Sequence, residues 1–223
     1  LGGVEEEVTA YFSDIQGFSG FSELLPPHKV VELMNEYLTA CTEVILAERG
    51  ALDKYIGDAV VAMFGGLVKL DDHAYRACVS SQLVQLRMAE LREKWRRDGD
   101  EWPPLVARMQ SRIGLNTGEV IVGNMGSPAR FNFTMMGDNV NLAARMESGA
   151  KAYGVLTMTT EATYQECLKY GGDHVVCRKH DKIIVKGRSK PVSVFEIVGL
   201  KEHVTDRSLK CIATFEEGLV RYQ

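Results

Sequence analysis

Leu52-Asp53-Lys54-Tyr55-Ile56-Gly57-Asp58-Ala59-Val60-Val61-Ala62-Met63-Phe64 reads as two strand-like runs held apart by Gly57-Asp58. Glycine supplies the positive φ of a tight primed turn, so this stretch predicts a β-hairpin. Upstream, Val30, Val31, Met34, Tyr37, Leu38, Cys41, Val44 and Ile45 recur with helical periodicity and mark an amphipathic helix. Pro26-Pro27 opens that helix where a missing N–H costs nothing, and Gly50 closes it. Before the helix, Val8 to Asp14 reads as a strand of β-branched and aromatic residues. After the hairpin, Asp72 caps a second long helix that carries Ala74, Cys78, Leu83, Leu86 and Leu91 and ends near Gly99. Val106 to Leu115 and Val120 to Met125 then read as a strand pair around Asn116-Thr117-Gly118-Glu119. The order β-α-β-β-α-β predicts an α+β fold with a ferredoxin-like core. Extra strands and helices follow: an excursion from Gly126 to Phe133, a helix over Val140 to Lys151, a short helix over Glu161 to Leu168, and strands at Val155 to Met158 and around Val175, Ile183 and Val194.

The chain has 223 residues and a formal net charge of −4. That leaves no basic footprint for polymeric nucleic acid. The longest fully apolar run, Ala59 to Phe64, falls far short of the ~20 residues that span a bilayer, so no membrane contact is expected from this segment. The 5 cysteines show no metal-ligand spacing such as C-x-x-C and read as reduced thiols, which makes a cytoplasmic location the expectation. Leu1-Gly2-Gly3 carries neither an initiator Met nor the features of a signal peptide, as expected of a domain cut from a longer protein with fused regulatory domains. Residues 1–7 are expected to be a linker, 8–200 the functional domain, and 201–223 a C-terminal extension without an assigned role.

Three groups of residues point to chemistry. Asp14 ends an apolar strand, and Asp58 stands in the hairpin turn. Singly, each is explained by helix capping or turn chemistry. Together, at one sheet edge, they can share Mg²⁺, which favours few protein carboxylates and lets substrate phosphates complete its octahedron. Between Asp14 and the first helix, backbone N–H groups of Ile15-Gln16-Gly17-Phe18-Ser19 can form an anion-binding nest. Asn141 and Arg145 are four apart and project from one helix face, either as a solvated polar face or as ligands. A guanidinium there suits charge developing on a transferring phosphoryl group.

Tyr11-Phe12-Ser13-Asp14-Ile15-Gln16-Gly17-Phe18, Lys54-Tyr55-Ile56-Gly57-Asp58, Arg112-Ile113-Gly114-Leu115-Asn116-Thr117-Gly118 and Gly137 to Glu147 stand in an order that resembles the class III nucleotidyl cyclase catalytic domain. The resemblance covers roughly residues 8 to 200 and rests on four motifs in sequence. It implies that Asp14, Asp58 and the Ile15 carbonyl hold two Mg²⁺ or Mn²⁺ ions per site. It implies that Asn141 orients the ribose, that Arg145 stabilises the pentavalent transition state, and that Arg112 and Lys186 bind the triphosphate. Gly17 and Phe18 fall on the substrate-binding turn. Lys54 would donate to adenine N1 and Thr134 would receive the exocyclic amine, which favours ATP, whereas guanylyl cyclases typically carry Glu and Cys there. Thr134 in place of the commoner Asp resembles soluble, often bicarbonate-responsive cyclases, so bicarbonate is a candidate effector. The family's sites lie at the interface of an antiparallel, wreath-like dimer. Because this chain carries every motif, a homodimer is expected, with Gly126 to Phe133 as the dimerisation arm. The resemblance thus implies an adenylyl cyclase making 3′,5′-cyclic AMP and pyrophosphate. The alternatives are a guanylyl cyclase, or a silent nucleotide-binding dimerisation module of a signalling protein.

Overall fold

A computed structural model of the chain describes residues 2–185 and 190–222. The hairpin forms where the sequence places it: strand β2 (Ala51–Ile56) turns through Gly57, at φ +63°, into strand β3 (Ala59–Phe64). Strand β1 (Gly2–Ile15) lies beside β3, with Thr9 opposite Phe64, and strand β4 (Ser111–Ser127) lies on its other side. Helix α1 (Phe18–Ser22) and helix α2 (Pro27–Ala47) separate β1 from the hairpin, and helix α3 (His73–Arg97) separates the hairpin from β4. The β-α-β-β-α-β order therefore yields the interleaved sheet β2-β3-β1-β4.

The remaining elements extend this frame. Strand β5 (Arg130–Met136) pairs back onto β4 as a hairpin arm, and helix α4 (Asp138–Tyr153) follows it. Strand β6 (Thr157–Thr160) runs parallel to β4. Helix α5 (Glu161–Gly171), strand β7 (Val175–Ile183) and strand β8 (Val192–Leu200) complete an 8-stranded sheet. Among the described residues, no helix is long and apolar enough to cross a membrane.

Alternation along the strands assigns their faces. Tyr11, Ile15, Val60, Ala62 and Phe64 pack with α2 and α3 in the larger core. Val8, Ala10, Val61 and Met63 point the other way and pack with Val120, Val122, Met135 and Ala143. The β4–β5 arm thus curls over the second face and carries β5 to β2, although β4, β1 and β3 lie between them in the sheet. Asp14 shares the parity of Val8 and Ala10, so it belongs to this second face.

Two sequence expectations change. The presumed linker over 1–7 is strand from Gly2 onward, because β4 is long enough to pair Gly2 with Asn124. The presumed strand pair within 106–125 is the single strand β4, while Val106–Arg108 forms a short 3₁₀ turn. The turn-like residues between are satisfied by tertiary partners instead of a loop. Asn116 Nδ2 donates to the Asn139 carbonyl at 2.9 Å, Asn116 Oδ1 accepts from Thr160 Oγ1 at 2.7 Å, and the Thr117 and Thr9 hydroxyls pair at 2.8 Å. A strand interior can hold such polar groups only where each finds a partner. The C-terminal extension contains helix α6 (Asp206–Tyr222), whose Glu216 accepts the Lys179 N–H at 3.0 Å and whose Phe215 ring lies under the Arg178 guanidinium at 5.1 Å.

Candidate active site

The end of β1 and the tip of the β2–β3 hairpin meet, as the sequence reading requires. The Ile15 N–H donates to Asp58 Oδ2 at 3.0 Å, and the Asp58 carboxyl lies near enough to that of Asp14 to feel its charge. Burial, and then the neighbouring Asp14 carboxyl, push the Asp58 carboxyl up to about 7 from its ordinary 3.8. No Lys, Arg or His side chain among the described residues forms an ion pair with either aspartate. No group of three or more His, Cys, Asp or Glu among those residues is placed to hold a metal. What stands here is a two-carboxylate pair.

The turn after Asp14 is committed more than expected. Gly17 adopts the left-handed conformation at φ 74°, which only glycine takes readily. The Gln16 N–H is occupied by the Gln110 carbonyl at 2.8 Å, and the Phe18 ring packs edge-on against Phe21 at 5.4 Å. The Phe18 side chain therefore anchors the turn to the core.

Arg112 stands opposite Asp14 in the β1–β4 register. Its Nε donates to Glu147 Oε1 of α4 at 2.9 Å, and both side chains are largely buried. Burial pushes the Glu147 carboxyl up while Arg112 pulls it down, and the charge of Asp14 adds to the upward push. The close approach of α4 depends on Gly114: a Cβ there would lie 2.1 Å from the Glu147 amide nitrogen. Further along α4, Asn141 is exposed and Arg145 is half-buried. Arg145 Nη1 is buried without a hydrogen bond, with Asp138 Oδ1 4.0 Å away.

A separate cluster forms where the arm reaches β2. Lys54 Nζ donates to Thr134 Oγ1 at 3.0 Å, so the two residues, 80 positions apart, are brought together. Sequence reading missed the third member, Asp53. Thr134 Oγ1 donates to Asp53 Oδ2 at 2.6 Å, Lys54 Nζ lies 3.3 Å from Asp53 Oδ1, and the Asp53 side chain is 2% exposed. Neighbouring residues of a regular strand point to opposite faces. Here the pairing skips from Leu52 to Lys54, and this bulge lets Asp53 and Lys54 reach the same hydroxyl. The bulge arises from pairing, which leaves no local mark in the sequence.

The expected site residues thus fall into separately bonded groups. No hydrogen bond or ion pair among the described residues joins Lys54 or Thr134 to Asp14 or Asp58. Lys186 lies outside the described residues.

Comparison with known proteins matches residues 3–199 to the family model described as adenylate and guanylate cyclase catalytic domain. Adenylate cyclase 1 of Rhizobium meliloti is 33% identical over 195 residues, 87% of this chain and 28% of that relative, so the chain spans less than a third of its length. The crystal structure of the adenylyl cyclase CyaB from P. aeruginosa superposes with a TM-score of 0.79 at 31% identity, covering 92% of this chain and 100% of that one. The guanylyl cyclase Cya2 is as similar, with a TM-score of 0.79 at 31% identity and coverage of 92% and 98%.

Proposed function

Since this chain belongs to the adenylate and guanylate cyclase catalytic domain family, we propose that it converts ATP to 3′,5′-cyclic AMP and pyrophosphate as a homodimer. Overall likeness is equal toward an adenylyl and a guanylyl cyclase structure, so the choice of base rests on the residues that would read it. The observation that carries the proposal is the contact of Lys54 with Thr134. A lysine ammonium only donates, which suits adenine N1 and opposes the N1–H of guanine. A donor facing a donor leaves a buried polar group unpaired at a cost of about 1–3 kcal/mol.

The residues divide the work. Lys54 and Thr134 hold the purine edge. Asn141, exposed on the first turn of α4, would orient the ribose. Arg145, with a buried guanidinium nitrogen that has no hydrogen bond, is available to stabilise charge at the α-phosphate. Arg112 would bind the triphosphate on exchanging Glu147 for phosphate oxygens, with Lys186 as a further phosphate contact. Asp14, Asp58 and the Ile15 carbonyl fit divalent cations: adjacent carboxylates without a cationic partner among the described residues, one of them pushed up to about 7, gain from positive charge between them. Two Mg²⁺ or Mn²⁺ ions, when bound there, supply Lewis acidity toward the ribose 3′-hydroxyl and the departing pyrophosphate.

The likeness to the cyclase family supports the dimer, and among the described residues no hydrogen bond or ion pair joins these groups within one protomer. A twofold would set the carboxylate pair and Arg112 of one protomer against Lys54, Thr134, Asn141 and Arg145 of its partner. Exposed apolar side chains on β2 and the arm, among them Tyr55, Ile56, Phe131 and Met136, supply surface for such an interface. Incubation of the dimeric protein with ATP or GTP and Mn²⁺, followed by chromatography of the product, tests the proposal. Cyclic AMP in large excess is expected; preferential formation of cyclic GMP, or no cyclic product, would overturn it.

A further inference from the structure

We propose that Asp53 is a specificity-determining positioning residue, which orients the Thr134 hydroxyl so that it can only accept a hydrogen bond from the base. The inference rests on reading Lys54 and Thr134 as the base-recognition pair. A threonine hydroxyl has one proton and two lone pairs, and left to rotate it can donate or accept. It would then serve the exocyclic amine of adenine, a donor, as readily as the O6 of guanine, an acceptor. Such a residue discriminates nothing at that position.

In this structure the hydroxyl is not free to choose. Its proton goes to Asp53 Oδ2 at 2.6 Å, and one lone pair receives Lys54 Nζ at 3.0 Å. Only the second lone pair remains for a ligand, so Thr134 presents an acceptor. Asp53 can impose this because its side chain is 2% exposed, with an ammonium 3.3 Å from its other oxygen. As a carboxylate it has no proton to return, and burial excludes water as a substitute acceptor. Asp53 also holds the Lys54 ammonium by charge, although its Oδ1 is buried without a hydrogen bond, so N–H groups of the ammonium beyond the one given to Thr134 remain for the base. Threonine thereby performs the acceptor role that an aspartate would perform unaided.

The test measures the ratio of kcat/KM for ATP over GTP. Asp53→Leu keeps the shape of the side chain and removes the acceptor, and the ratio should fall at least about tenfold. Adding Thr134→Asp should restore it, because a carboxylate at 134 accepts without help. A dimeric Asp53→Leu protein with an unchanged ratio, or a double variant no more selective than Asp53→Leu, would overturn the inference. A wild-type chain that does not prefer ATP would instead overturn the proposed function. A second measurement on the wild-type chain covers the case in which Asp53→Leu does not fold. N6-methyl-ATP and the 6-methoxypurine ribonucleoside triphosphate share their shape and their N1 acceptor, but only the first offers an N–H at C6. The first should be used at least about tenfold more efficiently; equal use would show a hydroxyl free to rotate and reject the idea.

Discussion

Two buried or half-buried aspartates, five residues apart on one hairpin, stand in opposite electrostatic circumstances. Asp58, at the turn, faces the Asp14 carboxyl, and its own carboxyl is pushed up to about 7. Asp53, at the bulge, faces the Lys54 ammonium and the Thr134 hydroxyl, and its charge is answered within the chain. A polar group taken from water needs a partner. At the bulge, the Asp53 charge is met by the Lys54 ammonium and its Oδ2 by the Thr134 hydroxyl, with Oδ1 left without a hydrogen bond. The turn instead holds two carboxyls together, which on the proposed function the cations would compensate. On the proposed function, a base-recognition element already assembled within the protomer stands beside a reaction element that cations and the opposing protomer would complete.

The largest expected effect comes from breaking the reaction element. Asp58→Ala and Arg145→Ala homodimers should each lose at least about a hundredfold in kcat. Mixing the two, with subunit exchange verified, should return about a quarter of wild-type activity: half the dimers are mixed, and each has one intact site of two. No return of activity would place both halves of the site within one chain. The recognition element should respond differently, changing which nucleotide is used. Lys54→Glu with Thr134→Cys should shift the ATP to GTP preference toward GTP by about tenfold or more, read from kcat/KM for both nucleotides. A folded double variant with unchanged ATP preference would remove Lys54 and Thr134 from base selection.

The same contrast explains what was legible in the sequence. The hairpin, its glycine turn and the carboxylates that it brings to β1 depend on local chemistry, and local chemistry predicts them. The meeting of Lys54 with Thr134 depends on how the arm curls over the sheet face, so only family resemblance pointed to it. Asp53 was invisible to both approaches, because a bulge is decided by the pairing of β2 with β3 and Asp-Lys is an unremarkable surface dipeptide in isolation. The misread turn at Asn116 to Glu119 has a related cause. Asn, Thr and Gly in succession look like a loop until Asn139, Thr160 and Thr9 are known to satisfy them. Arg112 falls in a stretch that the sequence predicts as a strand, but its register opposite Asp14 comes from strand pairing, and its pairing with Glu147 needs the contact of α4 with Gly114, a packing event between distant elements.

The smallest effect, in stability, sharpens the contrast most directly, since it needs neither substrate nor turnover. In the folded protein the Asp58 carboxyl is pushed up to about 7, against 3.8 for an ordinary Asp, by burial and by Asp14. Between those values the folded protein holds a proton that the unfolded chain has released, so stability falls as pH rises from about 4 through about 7. Asp58→Asn removes that loss. In EDTA at pH 8 the variant should melt higher than wild type, on the order of 2 °C once solvent screening at this half-exposed group is allowed for. The difference should shrink toward zero as pH falls through 6 to 4. Saturating Mn²⁺ at pH 8 should reverse the order, because the ions stabilise only the chain that retains both carboxylates. Asp53→Asn gives the opposite sign in EDTA: it weakens the answer to the Lys54 charge and should melt lower than wild type at pH 8, with no reversal by Mn²⁺. Equal behaviour of the two variants would mean that the carboxylates are not distinguished by their partners, and that the division between the two regions is wrong.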